Sequence, residues 1–171
     1  DVYKRQVSNL KNTLAIVDTM GDKTNAILYR EKPADLFIDE TFLKKVNLDS
    51  YLMIIVTGTS LSRNPSRNNV LKLMELAIKR KIEIVLDIDY REGSWNDKKK
   101  AEKTLYSASL LSNIVVGNDL EFNFMSSDKN RGLSLASKLS KKNRITTIYK
   151  MGSRGLYYFD KNKKQFFKSF K

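Results

Sequence analysis

The chain has 171 residues, 41% of them hydrophobic, enough to bury one ordinary core and of a size that favours a single α/β domain. It contains neither Cys nor His, which excludes disulfides, thiol nucleophiles, imidazole bases and the usual zinc sites. The formal charge is +13, but Lys98 to Lys100, Lys141 with Lys142, and Lys163 with Lys164 are separated, which favours a solvated basic surface over a nucleic-acid face.

Any chemistry must therefore use carboxylates, amines, hydroxyls or backbone, and any metal should be the oxygen-ligated Mg²⁺ kind. No stretch approaches the roughly 18 to 20 apolar residues of a membrane span, and no basic region precedes an apolar signal core. A cytoplasmic protein without a membrane partner is expected.

Residues Asp1 to Gln6 match no pattern in the rest of the chain and read as extraneous. Thr13 to Thr19 and Thr24 to Arg30 are short β-branched runs separated by Met20-Gly21-Asp22-Lys23, which predicts a hairpin. Asp39 to Leu43 starts a brief helix with acidic residues in its first turn. Tyr51 to Thr57 is a continuous apolar run of strand length. In Ser66 to Lys81, Val70, Leu73, Met74 and Ala77 recur at helical spacing and form one apolar stripe.

Ile82 to Ile88 is the next strand, and Asn96 to Leu110 a helix with Ala101, Leu105 and Ala108 on one face. Asn113 to Val116 is a strand leading into Gly117-Asn118. Helices over Asp119 to Met125 and Asn130 to Lys142 precede the strand Ile145 to Lys150. Gly155 to Phe159 and Gln165 to Phe170 flank the polar turn Asp160 to Lys164 and read as antiparallel strands. This alternation predicts right-handed crossovers and a largely parallel sheet between helical layers. Ligands of such sheets bind beyond the carboxyl ends of the strands, so the loops at 57–62, 87–95, 117–121 and 150–155 are the informative ones.

Asn118 and Glu121 stand three apart at a strand-to-helix junction. They suit a capping box, and equally a helix start facing phosphate with a carboxylate near Mg²⁺. Lys150-Met151-Gly152-Ser153-Arg154-Gly155 is either a turn whose glycines supply positive φ or a nucleotide cradle in which Lys150 and Arg154 neutralise phosphate. Asp87 and Asp89 fall on one side of an ideal strand; they cap or pair with Arg, or they serve a ligand. Arg91 and Arg30 are the candidates for gripping an anionic substrate, because guanidinium binds carboxylate bidentately.

In order, Tyr29-Arg30-Glu31, Val56-Thr57-Gly58-Thr59, Asp87-Ile88-Asp89-Tyr90-Arg91 with Trp95, Asn118-x-x-Glu121 and Lys150-x-Gly152-x-x-Gly155 resemble the PfkB carbohydrate kinase family over residues 12 to 170. The resemblance implies a ribokinase-like three-layer α/β fold, with residues 12–30 as a lid-like hairpin and 51–170 as the core of one incomplete kinase domain. It implies ATP and Mg²⁺ as cofactors and a sugar acid as the small-molecule partner, with a homodimer through the hairpin as a further expectation. Asn118, Glu121, Lys150, Gly152, Ser153, Arg154 and Gly155 inherit the nucleotide site, and Glu121 the metal. Arg30, Asp89 and Arg91 inherit the substrate site. Related sugar-acid kinases often carry Asp-x-Asn-x-Arg where this chain has Asp89 in the middle position, which bears on the acceptor. Other sugars phosphorylated within the family, and a basic nucleic-acid-binding module motivated by charge alone, are the alternatives.

The family's catalytic Gly-Ala-Gly-Asp segment does not occur in these residues, nor does its early Gly-Gly substrate element. Without the base and the anion hole, this polypeptide is expected to show little or no phosphoryl transfer of its own.

Overall fold

The computed structural model describes residues 9–20, 23–128, 130–143, 145–161 and 163–170. The extraneous reading of Asp1 to Gln6 and the Gly21-Asp22 turn lie outside them.

Strands β1 (Leu14–Met20) and β2 (Lys23–Tyr29) pair antiparallel as a separate two-stranded sheet, with Leu14 opposite Tyr29 and Ile16 opposite Ile27. Helix α1 (Glu40–Lys45) follows, capped by the Asp39 carboxylate accepting from the Phe42 N–H. Then come β3 (Met53–Thr57), α2 (Ser66–Lys79), β4 (Glu83–Asp87), α3 (Lys98–Leu110), β5 (Ile114–Asn118), α4 (Asp119–Met125), α5 (Gly132–Asn143), β6 (Thr146–Lys150), β7 (Leu156–Asp160) and β8 (Lys163–Phe167). The six-stranded sheet runs β3-β4-β5-β6-β7-β8; its first four strands are parallel and its last two antiparallel.

Consecutive parallel strands joined by right-handed crossovers place their connecting helices on one face. Residues aligned across that face, Val56, Leu86, Val115 and Thr147, are buried. The apolar stripe of α2 (Val70, Met74, Ala77) and that of α3 (Ala101, Leu105, Ala108) meet them in a single core. The next row, Ile55, Val85, Ile114 and Thr146, points to the opposite face, where Ile55 is 72% exposed. The described residues thus supply the sheet and one helical layer of the three expected. Among the described residues strand β3 bonds only to β4, and Leu52 beside it is 92% exposed.

Most boundaries differ from the sequence reading by one to three residues, and two of the differences have a clear local cause. Strand β8 begins at Lys163 rather than Gln165, because Lys161 takes a left-handed φ of 49° in a tighter turn and Lys164 packs over the Tyr157 and Phe159 rings. Helix α2 stops at Lys79 because Lys81 is left-handed, with φ 58°.

Candidate nucleotide and sugar site

The carboxyl ends of β3 to β6 converge on one edge of the sheet, where parallel register sets residues side by side. Asn118, last in β5, lies opposite Lys150, last in β6. Asn118 caps α4 in a full capping box: its Oδ1 accepts from the Glu121 N–H at 2.9 Å, and the Glu121 Oε2 accepts from the Asn118 N–H at 2.7 Å. The loop after β6 folds toward the same place, since Arg154 Nη2 donates to Asp119 Oδ2 at 2.5 Å. The resemblance assigns the Asn-x-x-Glu and Lys-x-Gly-x-x-Gly elements to one site, and the strand register and this ion pair set them side by side.

Gly152 and Gly155 have φ of 58° and 98°, a left-handed backbone that glycine tolerates best. A Cβ on Gly155 would lie 2.2 Å from the Phe167 carbonyl oxygen, so this glycine is demanded by the close approach of the end of β8. At Gly152 a Cβ would meet nothing within 4 Å. Lys150 and Gly152 to Arg154 are exposed, as a surface that receives a ligand must be.

Glu121 is buried, and burial is the main cause that raises its pKa above the ordinary carboxyl range. The charges of Asp87 and Asp89 push it further up, while the Asn118 N–H and Lys150 pull it down. The fold sets the two aspartates near enough to Glu121 for their charges to act on it. Oε1 of Glu121 has no hydrogen-bond partner among the described residues. A cation would be stabilised beside this cluster, so the carboxylates fit Mg²⁺ held with phosphate oxygens. The described residues contain no group of three or more carboxylates placed to hold a metal by themselves.

The raised pKa has a consequence for stability. Glu121 releases its proton less readily folded than unfolded, so its contribution is fully present below the unfolded pKa and is lost as pH rises through the folded one. Glu121→Gln keeps an acceptor for Asn118 and removes the charge. The variant should therefore melt at or above the wild-type temperature at pH 8, and the difference should vanish or reverse at pH 4. Melting curves across that range check it.

Asp89 and Arg91 leave β4 through a bent loop. Strand β4 ends at Asp87, and Asp89 takes a left-handed φ of 32°, so strand alternation does not set its direction. Its Oδ1 accepts from Arg91 Nε at 2.9 Å and its Oδ2 from Thr59 Oγ1 at 3.2 Å. Arg30, at the end of the hairpin, is largely buried: its Nη1 donates to Ser94 Oγ at 3.0 Å and its Nη2 to Asp35. Thr13 Oγ1 also donates to Asp35, so this one carboxylate holds both strand ends of the hairpin. Arg30 Nε is buried without a hydrogen-bond partner. Ser94 and Asp35 were not singled out from sequence, and nothing in their local pattern distinguishes them.

The basic residues also gather elsewhere. Lys138, Lys141 and Lys142 of α5 and Lys164 of β8 line a shallow groove of about 600 Å³ floored by Leu133 and Phe159. Phe159 pairs with Thr147 near the start of β6, so the groove lies toward the sheet end opposite the candidate site.

This topology and loop arrangement define a ribokinase-like α/β fold. Over 96% of this chain and 56% of the other, it superposes on the PfkB protein from Polaromonas sp. JS666 with a TM-score of 0.81 at 14% identity. Over 97% and 52% it superposes on a sugar kinase from Pyrococcus horikoshii solved in complex with ATP, with a TM-score of 0.76 at 19% identity. In sequence it is 34% identical over 118 residues to the 5-dehydro-2-deoxygluconokinase of Photobacterium profundum, covering 69% of this chain and 36% of that protein. The model of the pfkB family carbohydrate kinases matches residues 1–171, and the chain belongs to that family. It spans about a third of the length of the curated relatives it matches.

Proposed function

We propose that residues 12–170 are part of an ATP-dependent kinase of one domain that phosphorylates a sugar-acid hydroxyl, with 5-dehydro-2-deoxygluconate of inositol catabolism as the acceptor. The observation that carries this reading is the side-by-side register of Asn118 and Lys150, closed by the Arg154–Asp119 ion pair. Lys150 offers an exposed cation to the phosphates, and the backbone from Gly152 to Gly155, with Ser153 and Arg154, follows them. Glu121 would hold Mg²⁺ together with phosphate oxygens, and the ion would neutralise phosphate charge when bound.

On the substrate side, Arg91 is half exposed and paired with Asp89, and it faces the sugar-acid carboxylate in this reading. Arg30 contributes from the hairpin base. The hairpin acts as the lid, and its exposed face of Leu14, Ile16, Ile27 and Tyr29 serves a lid or a homodimer contact. The cytoplasm, where ATP is available, is its compartment.

The catalytic base and anion hole belong to the Gly-Ala-Gly-Asp segment of the whole kinase, and none of these 171 residues is assigned that role. A phosphoryl-transfer assay of the whole kinase with competing acceptors tests the substrate. The reading expects 5-dehydro-2-deoxygluconate to win over 2-keto-3-deoxygluconate and fructose by at least tenfold in kcat/KM. Equal or better use of fructose would replace the acceptor while leaving the kinase assignment standing.

A further inference from the structure

We propose that Thr59 is a positioning residue that sets the direction of Arg91 by holding Asp89. The link to an acceptor carboxylate rests on the reading of Arg91 above; the positioning itself does not.

Thr59 sits in the single 3-10 turn Gly58–Leu61 that leaves β3. That turn reaches the loop after β4 because Gly58 has no side chain: a Cβ there would stand 1.9 Å from the Ile88 carbonyl oxygen. The close approach brings Thr59 Oγ1 to 3.2 Å from Asp89 Oδ2, and Thr57 Oγ1 lies 3.1 Å from Thr59 Oγ1. A carboxylate accepts only, so the Thr59 proton points to Asp89, and Thr59 can accept in turn from Thr57. The polar chain therefore runs in one direction, from Thr57 through Thr59 to Asp89.

Asp89 divides its two oxygens. Oδ2 takes Thr59, and Oδ1 takes both Nε and Nη2 of Arg91 at 2.9 Å. Its left-handed backbone takes Asp89 out of strand alternation, so its carboxylate is oriented by its contacts, one of which lies outside its own loop. Thr59 is that contact: among the described residues Oδ2 has no other hydrogen-bond partner. The bond is long for a hydroxyl and a carboxylate; it orients Asp89 more than it anchors the loop. Arg91, with its side chain 54% exposed, has solvent as the competing partner whenever Asp89 rotates.

The test is nuclear magnetic resonance of the ¹⁵N-labelled chain without any sugar or nucleotide, following the Arg91 Nε–H signal assigned by Arg91→Lys. Thr59→Val keeps the β-branch and removes the hydroxyl. It should speed exchange of the Arg91 Nε proton with water by about threefold, the loss of one modest hydrogen bond. Thr59→Ser should restore the wild-type rate, and Asp89→Asn should raise it at least as far as Thr59→Val. If Val does not fold at this site, Thr59→Ala removes the same hydroxyl and is read the same way. A wild-type Arg91 rate in the hydroxyl-free variant, with Asp89→Asn still faster, overturns the proposal. So does a faster rate that Ser fails to restore. Because no acceptor is present, failure of the sugar-acid assignment leaves this outcome untouched.

Discussion

Gly58→Ala should lower the unfolding free energy of the chain by about 3 kcal/mol, the upper part of the range for overpacking a close contact. The added carbon would fall 1.9 Å from the Ile88 carbonyl oxygen and 2.7 Å from Leu105 Cδ2. A backbone oxygen cannot rotate aside as a side-chain end can, and Ile88 is held by its own N–H bond to the Val116 carbonyl at 2.9 Å. Relief therefore requires moving the turn after β3, and with it Thr59 and the Asp89 loop. Gly93→Ala, where a Cβ would meet nothing within 4 Å, serves as the control and should change stability by less than about 0.5 kcal/mol. Denaturant unfolding of the two variants checks the pair.

Phe122→Ala should cost about 3–5 kcal/mol, the usual loss for emptying a buried aromatic site. Phe122 is fully buried on α4, with its ring centroid 5.3 Å from that of Tyr149 on β6 and its edge against Gly117. It packs one residue after Glu121 and joins the two strands whose ends carry Asn118 and Lys150, so the damage should reach the site as well as the core. Hydrogen exchange should rise at the Asn118 and Lys150 amides together. Leu120→Ala, on the same helix but 74% exposed, should leave both stability and exchange near wild type.

The parallel strands and their helices were legible because their signals are local. Val70, Met74 and Ala77 fall on one helical stripe whatever the tertiary context, and all three are buried. The capping box of Asn118 and Glu121 was legible for the same reason, since both partners lie within four residues. What was not legible depends on residues far apart in the chain. The Arg154–Asp119 pair spans 35 residues and the Arg30–Ser94 bond 64, and neither leaves a spacing that a scan can detect. The left-handed turn at Asp89 escaped because aspartate gives only a weak preference for that backbone, so strand alternation was extended one step too far. The continuous apolar run over 51–57 reads as a parallel-sheet strand, and β3 pairs in parallel with β4; the described residues cover one of its two faces.

Calorimetric titration of the folded chain with Mg-ATP, beside Asn118→Ala and Lys150→Ala, decides whether the nucleotide sits at the ends of β5 and β6. The wild type should bind saturably, and Lys150→Ala should weaken that binding about tenfold or more, the usual scale for losing one charge-assisted phosphate contact. Asn118→Ala should show a clear loss as well. Binding by the wild type that neither substitution disturbs would contradict this placement of the nucleotide.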